Sequence, residues 1–189
     1  LQFKNFESIT SNFYLKTGVL APQHILNTNG ILRFPENQKD MIRLGIGLYG
    51  FGDDKNLKSI AKLQSTIAQI RTVNKGDKIG YDTNFIADEK IQIGIVPIGY
   101  ADGINRKLGN NKGYVVVNKK LAKIVGEISM DSMIIDLRKI EANEGDLVTI
   151  FDSNNHVSKI ASDLGTIPYE ILATLNRRIK RVYSDWYLL

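Results

Sequence analysis

The chain is 189 residues long, 43% hydrophobic and 24% charged, the composition of a folded globular protein with room for one large domain or two smaller ones. With no cysteine and only two histidines, His24 and His156, it excludes disulfides, thiolate nucleophiles, thiolate zinc sites and a multi-histidine metal centre. A net charge of +5 permits anionic partners. No zinc-finger, helix-turn-helix or RNA-binding aromatic pattern accompanies that charge, and no apolar run approaches the roughly 20 residues that span a bilayer. Neither nucleic acid nor a membrane is therefore expected as a partner.

The first residues, Leu1–Phe6, lack the apolar core of a secretory signal and an initiator Met, so the chain is expected to begin inside a longer gene product. Phe3, Phe6, Ile9 and Phe13 recur at helical spacing, with Gly18 as the stop. Pro22–Asn27 reads as a short buried strand with a polar end, and Asn29–Phe34 as a helical turn closed by Pro35. Met41–Leu44 is another short apolar run, broken by Gly45 and Gly47. Short strand, polar end, helical turn, short strand is the rhythm of parallel β/α units, whose ligands collect at the carboxyl ends of strands. Asn27, Thr28, Gly45 and Ile46 fall there.

A polar linker, Gly52–Asn56, marks the expected boundary. Beyond it, Ala61–Arg71 reads as one long extended segment, with Gly76-Asp77 as a turn. Further strands are expected at Lys90–Pro97, Gly113–Val117, Leu121–Ile128, Met133–Leu137 and Asp146–Phe151. Asn118-Lys119-Lys120 is a hairpin connection and Glu144-Gly145-Asp146 a second turn. Such closely spaced strands argue for an antiparallel barrel or sandwich. Helices follow at Val157–Leu164, stopped by Gly165, and at Pro168–Leu175, opened by proline. A last strand is expected over Arg178–Tyr183. Its basic run, Arg177-Arg178-Ile179-Lys180-Arg181, reads as a solvated strand face. The fold class is mainly β with an α/β start.

Four motifs could carry chemistry. Tyr81 and Tyr100 each follow a glycine that lets the backbone turn tightly at a strand boundary, in Gly76–Tyr81 and Val96–Gly103. A tyrosine so placed projects its hydroxyl from a rigid edge, which suits proton transfer or gating of a pocket, and Tyr81 is the stronger candidate. Arg43–Gly50 is glycine-rich and could offer N–H groups to a phosphate, or be a plain turn. Gly126–Asp131 sets Met130 beside a carboxylate, or is a core methionine and a turn aspartate. Thr166–Glu170 puts Tyr169 in the first turn of a helix, where it meets an anion or simply packs.

Taken in order, HILNTNGILRFPE, MIRLGIGLYG, GDKIGYDTNF, VPIGYADG, VGEISMDS and TIPYE resemble the C-terminal part of the bacterial alanine racemases. These are pyridoxal-phosphate enzymes that interconvert L- and D-alanine. The resemblance runs through essentially the whole chain. It implies that residues 1–52 are the last units of a (β/α)8 cofactor barrel and residues 57–189 an antiparallel β-barrel-like C-terminal domain. The start of the barrel and its cofactor-anchoring lysine motif are not in this sequence, so the chain alone is expected to be inactive.

The resemblance also assigns roles. Tyr81 becomes one of two acid/base groups, the other being the anchoring lysine. Arg43 faces the pyridine nitrogen. Thr28, Gly45, Ile46 and Tyr169 contact the phosphate, with Asn27 and His24 as supporting polar groups. The Met130 N–H meets the substrate carboxylate, and Tyr100, Asp131 and Ile167 line the access corridor. Three departures stand out: Thr28 for the usual serine, Leu44 for a proline, and Glu127 where a corridor arginine is common. The expected setting is a cytoplasmic homodimer with an active site shared between subunits, serving D-alanine supply for peptidoglycan. A fused cell-wall ligase upstream, as in some bacteria, is a further expectation. The competing readings are a broader amino-acid racemase of the same fold, a decarboxylase of similar layout, and a non-catalytic β-barrel dimerisation module.

Overall fold

A computed structural model describes residues 1–52, 54–81 and 85–183. Asp53 of the polar linker, residues 82–84 of the Tyr81 motif and residues 184–189 lie outside the described residues. The chain divides into two compact units, Leu1–Ile60 and Ala61–Leu189.

In the first unit, helix α1 (Gln2–Thr17) ends at Gly18, whose left-handed φ of 68° lets its N–H reach the Tyr14 carbonyl. Phe3 and Phe6, one turn apart, are its half-buried stripe. Lys39 ties this face down, with its Nζ 5.7 Å from the centre of the Phe3 ring and 3.2 Å from Glu7. Helix α2 (Thr28–Arg33) begins at Asn27, whose Oδ1 accepts the Gly30 N–H at 2.9 Å. Pro35–Asn37 and Ile46–Tyr49 are single 3₁₀ turns.

The strand expected at Pro22–Asn27 does not form. That segment runs beside residues 41–43, with the Met41 N–H on the Gln23 carbonyl and the Arg43 N–H on the Leu26 carbonyl. Only one parallel bridge, Asn27 with Arg43, results. Only Leu26 of the segment is buried, so the apolar packing that holds a parallel pair together is thin here.

The second unit is a rolled antiparallel sheet. The expected long segment at Ala61–Arg71 is two strands, β1 (Leu63–Thr66) and β2 (Gln69–Val73). After the short hairpin β3 (Lys78–Ile79) and β4 (Phe85–Ile86) come β5 (Ile91–Val96), β6 (Tyr114–Val117), β7 (Lys120–Val125), β8 (Met133–Asp136) and β9 (Leu147–Phe151). Seven of these hydrogen-bond in the order β1-β9-β6-β7-β8-β5-β2, every pair antiparallel. The two edges of this sheet, β1 and β2, are consecutive in the chain and joined only by Ile67-Ala68. A flat sheet of that order would hold its edges roughly 29 Å apart, and two residues reach about 7 Å. The sheet must therefore curl until its edges meet. The link stitches the seam: the Ile67 N–H donates to the Asp146 carbonyl, the Gly145 N–H to the Ile67 carbonyl and the Ala68 N–H to the Ile95 carbonyl.

Alternation along the strands fills the interior with Val96, Val115, Val117, Ile124, Met133, Ile135 and Val148, each at most 2% exposed. Helix α3 (Asn154–Leu164) starts under Ser153, whose hydroxyl accepts the His156 N–H, and stops at Gly165. Helix α4 (Pro168–Ala173) opens with proline. The strand expected at Arg178–Tyr183 is absent among the described residues. Asn176 turns the chain instead, its Oδ1 accepting the Arg178 N–H and its carbonyl the Ile179 N–H. Such local side-chain bonds compete with a strand ladder.

Candidate functional site

In the first unit the candidate residues gather around Thr28. Asn27 caps α2 so that Thr28 is its first residue, 4% exposed. The Thr28 Oγ1 accepts the N–H groups of Gly45 and Gly47, each at 3.2 Å. A hydroxyl has two lone pairs and one proton, so with both pairs engaged its proton is left for an outside acceptor. A Cβ on Gly47 would sit 2.8 Å from the Thr28 Cγ2, whereas one on Gly45 would meet nothing within 4 Å. Gly47 is thus fixed by close packing, and the Gly45 side of the turn is open. The Ile46 N–H makes no intramolecular hydrogen bond among the described residues. Arg43 is pinned beside this turn, its Nη2 donating to the Ile25 carbonyl at 3.0 Å. These are donors without an opposing carboxylate, a set suited to a phosphate-bearing ligand. His24 is exposed on the same segment.

In the second unit three loops meet at one end of the barrel, and glycines let them touch. Gly80, at φ 80°, carries the chain from β3 into Tyr81; a Cβ there would lie 3.4 Å from the Glu127 nitrogen. Facing it, Gly126 at φ 63° ends β7, and its Cβ would lie 3.1 Å from the Ile79 carbonyl oxygen. The Tyr81 loop therefore rests on the loop that carries Met130. Tyr81 is 68% exposed. The third loop arrives through Gly99, where a Cβ would be 2.4 Å from the Ser129 oxygen and 2.5 Å from the Met130 oxygen. Gly99 has an extended backbone, φ −142°. Close approach is the reason for glycine at this position; the tight turn expected from the sequence is not.

Met130 and Asp131 form the apex of a narrow turn. The Ser129 N–H donates to the Ser132 carbonyl at 2.9 Å, and the Ser132 N–H to the Ser129 Oγ at 3.1 Å. The carbonyls of Ser129 and Met130 accept the N–H groups of Tyr100 and Ala101, both at 3.0 Å. In a trans peptide the N–H points opposite the carbonyl. With the Ser129 carbonyl held by Tyr100, the Met130 N–H faces away from that loop and stands free to meet an anion.

A residue outside the sequence-derived set locks these loops. Arg178 donates through Nε and Nη2 to the two oxygens of Asp102, at 2.6 and 3.0 Å, and through Nη2 to Asp131 at 2.7 Å. Asp102 also accepts the Gly99 N–H at 2.8 Å, and its carbonyl takes the Asn176 N–H. The hydrogen bonds from Arg178 hold the Asp102 carboxyl below the usual range, outweighing partial burial, and the two carboxylates push the guanidinium pKa up. The basic run read as a solvated strand face therefore contains an inward-turned clamp. Its signal in the sequence was Asp102 itself, a carboxylate inside an otherwise apolar glycine-flanked motif.

Tyr100 is 41% exposed, and the Arg106 guanidinium lies 5.9 Å from the centre of its ring. Arg106 also forms an ion pair with Glu127. Glu127, expected to bring a negative charge where an arginine is common, thus stands against an arginine, and its charge is locally offset. A cleft of about 410 Å³ opens beside Tyr100 and Arg106, walled by Ile104, Phe151 and Ile171 and reaching Thr166 and Glu170. Ile167, the residue that caps α4, is 58% exposed, and Tyr169 in its first turn is 44% exposed. Asn27, Thr28, Arg43, Gly45 and Ile46 thus form one group in the first unit. Tyr81, Tyr100, Met130 and Asp131 share the loop cluster of the second, with Ile167 and Tyr169 at the start of α4.

The family model described as alanine racemase, C-terminal domain, matches residues 60–183. An alanine racemase of Helicobacter pylori (strain Shi470) is 38% identical over 177 residues, which are 85% of this chain and 47% of that protein. Among solved structures, the alanine racemase of Clostridium difficile 630 in complex with cycloserine superposes with a TM-score of 0.83 at 32% identity, covering all of this chain and 54% of its own. That of Bartonella henselae, with covalently bound pyridoxal phosphate, gives 0.79 at 32% identity, covering 94% of this chain and 52% of its own. The chain spans about half the length of the curated relatives it matches.

Proposed function

Because the chain belongs to the alanine racemase family, we propose that it supplies part of the cofactor cradle and one of two proton-transfer groups of an enzyme that interconverts L- and D-alanine. Pyridoxal phosphate, when bound, delocalises the negative charge left at the substrate α-carbon. Thr28, Gly45, Ile46 and Tyr169 would hold its phosphate, and the free Thr28 hydroxyl proton beside the open Gly45 turn supports that fit. Arg43 would lie against its ring nitrogen. A guanidinium stays protonated and has no proton to spare, so that nitrogen keeps its lone pair.

Tyr81 is the group that takes the α-proton from one face, or returns it. A phenol with an ordinary pKa of about 10 is a weak base at neutral pH, so cationic neighbours must favour its phenolate in the working site. The Met130 N–H holds the substrate carboxylate, and Tyr100, Asp131 and Ile167 border the route in. In this reading the second unit of one subunit completes the cofactor site of its partner in a homodimer. The D-alanine made by such a cytoplasmic enzyme supplies peptidoglycan synthesis.

The observation that carries the proposal is the packing of Gly80 on Gly126, which rests the backbone leading into Tyr81 on the loop that carries Met130. A phenol on one loop and a carboxylate-binding N–H on the loop beneath it are what two-sided proton transfer on an amino acid would use. The test is Tyr81→Phe in the complete protein, with alanine turnover followed in both directions. The rate that depends on the tyrosine should fall by about 10²–10⁴-fold. Unchanged rates in both directions would remove Tyr81 from the reaction.

A further inference from the structure

We infer that Arg178 is a positioning residue for substrate binding, holding the Met130 turn at the angle from which its N–H meets a carboxylate. The inference rests on the racemase reading above and adds to it a residue that no part of that reading requires.

The Met130-Asp131 apex is closed at its base by the Ser129–Ser132 bonds, and among the described residues it is tied outward in two ways. One tie is to the Tyr100 loop, through the carbonyls of Ser129 and Met130. That contact holds the Ser129–Met130 side of the turn, and it makes no bond to Asp131 itself. The second tie is the Asp131 side chain, and the structure gives it one charged partner, the Arg178 Nη2 at 2.7 Å. The same guanidinium engages both oxygens of Asp102, and Asp102 in turn accepts the Gly99 N–H at the root of the Tyr100 loop. One planar fork thus links the Asp131 side of the apex to the root of the Tyr100 loop, where no backbone bond does. A Cβ on Gly103 would lie 2.4 Å from the Thr174 carbonyl oxygen, so the segment that delivers Arg178 is seated directly on the Tyr100 loop. Arg178 itself touches neither candidate base nor cofactor-binding residue; it acts through Asp131 and Asp102.

A contact with the substrate carboxylate persists from the bound state to the transition state. Misplacing its donor should therefore raise KM more than it lowers kcat. A residue that only staples the C-terminal segment would instead lower the melting temperature and leave KM alone. Lysine keeps the charge, but its single ammonium cannot span two carboxylates in a fixed plane.

The experiment compares Arg178→Gln and Arg178→Lys with wild type in the complete protein loaded with cofactor, measuring kcat and KM for both alanine enantiomers and the thermal midpoint. The expected result is a KM raised roughly tenfold in Arg178→Gln, with kcat changed by less than about threefold. Arg178→Lys, which keeps the charge and provides folded protein if the glutamine variant does not, should show a KM rise of the same sense. Wild-type KM in Arg178→Lys, or a lowered midpoint with unchanged KM in both variants, overturns the inference and leaves the racemase reading standing. A wild-type protein that turns over no alanine sinks the racemase reading and this inference with it.

Discussion

Asp102 is 7% exposed, yet it carries a full charge, and that is tolerable because each of its oxygens has a donor: Arg178 Nε on one, Arg178 Nη2 and the Gly99 N–H on the other. These bonds favour the carboxylate, so its pKa in the folded protein lies below the ordinary value of 3.8. The sign of the pH effect follows. Above about pH 5 the group is ionised in folded and unfolded chains alike, and its stabilisation is fully present. As the pH falls through the depressed folded pKa, the unfolded chain has already bound a proton that the folded one resists, and the stabilisation is lost. The Asp146 carboxyl is lowered as well, by the Asn143 N–H and the Asn118 amide, and it adds acid sensitivity independent of Asp102. Asp102→Asn isolates the first contribution. Between pH 6 and pH 3 the urea midpoint of the wild type should fall further than that of the variant, although the variant starts lower. Parallel curves would show that the Arg178 clamp adds nothing to the pH dependence.

At the scale of elements, the β6–β7 hairpin turns on Asn118 and Lys119, with φ of 48° and 64°. Two consecutive positive φ values define the turn whose twist matches paired strands, and it favours Asn-Gly. Asn118 suits it and is held further by its amide, which donates to the Glu141 carbonyl and to Asp146. Lys119 carries a Cβ in a region that disfavours one. Lys119→Gly should therefore raise stability by about 0.5–1 kcal/mol, read as a higher denaturation midpoint with an unchanged slope. This turn was legible in Asn118-Lys119-Lys120, as were the helix stops at Gly18 and Gly165 and the proline start of α4, because each is a local rule about one or two residues. The break at Ile67-Ala68 was not legible, since apolar alternation continues across it and only the partners of β1 and β2 differ. The absence of a strand at Arg178–Tyr183 was hidden for a related reason. Alternating basic and apolar residues look like a strand face until a buried carboxylate from residue 102 claims one of the arginines. The candidate site residues were picked out by their motifs. The contacts that assemble them, Gly80 on Gly126 and Gly99 on the Ser129-Met130 peptides, join residues some 30 to 46 positions apart in sequence and exist only once the sheet has rolled.

For the rolled unit as a whole, closure depends on the two-residue link between its edge strands. Ile67 is 1% exposed and both its backbone groups bond across to the β9 side, while the neighbouring Ala68 N–H bonds to β5. At the link itself the seam is made by one buried side chain and three backbone bonds, and these can be removed separately. Ile67→Ala should cost about 2–5 kcal/mol through the cavity it leaves inside the barrel. Ala68→Pro changes an exposed residue, and by ordinary surface rules it would be nearly neutral. It removes the donor to Ile95, however, and places a ring where β5 must approach. A cost of about 3 kcal/mol or more is expected. If closure is one cooperative event, both variants lower the urea midpoint with the slope unchanged, because the same surface is still exposed on unfolding. A proline variant as stable as wild type would mean that the barrel holds its curvature without this seam. The loops carrying Tyr81, Tyr100 and Met130 would then owe their convergence to their own glycine contacts alone.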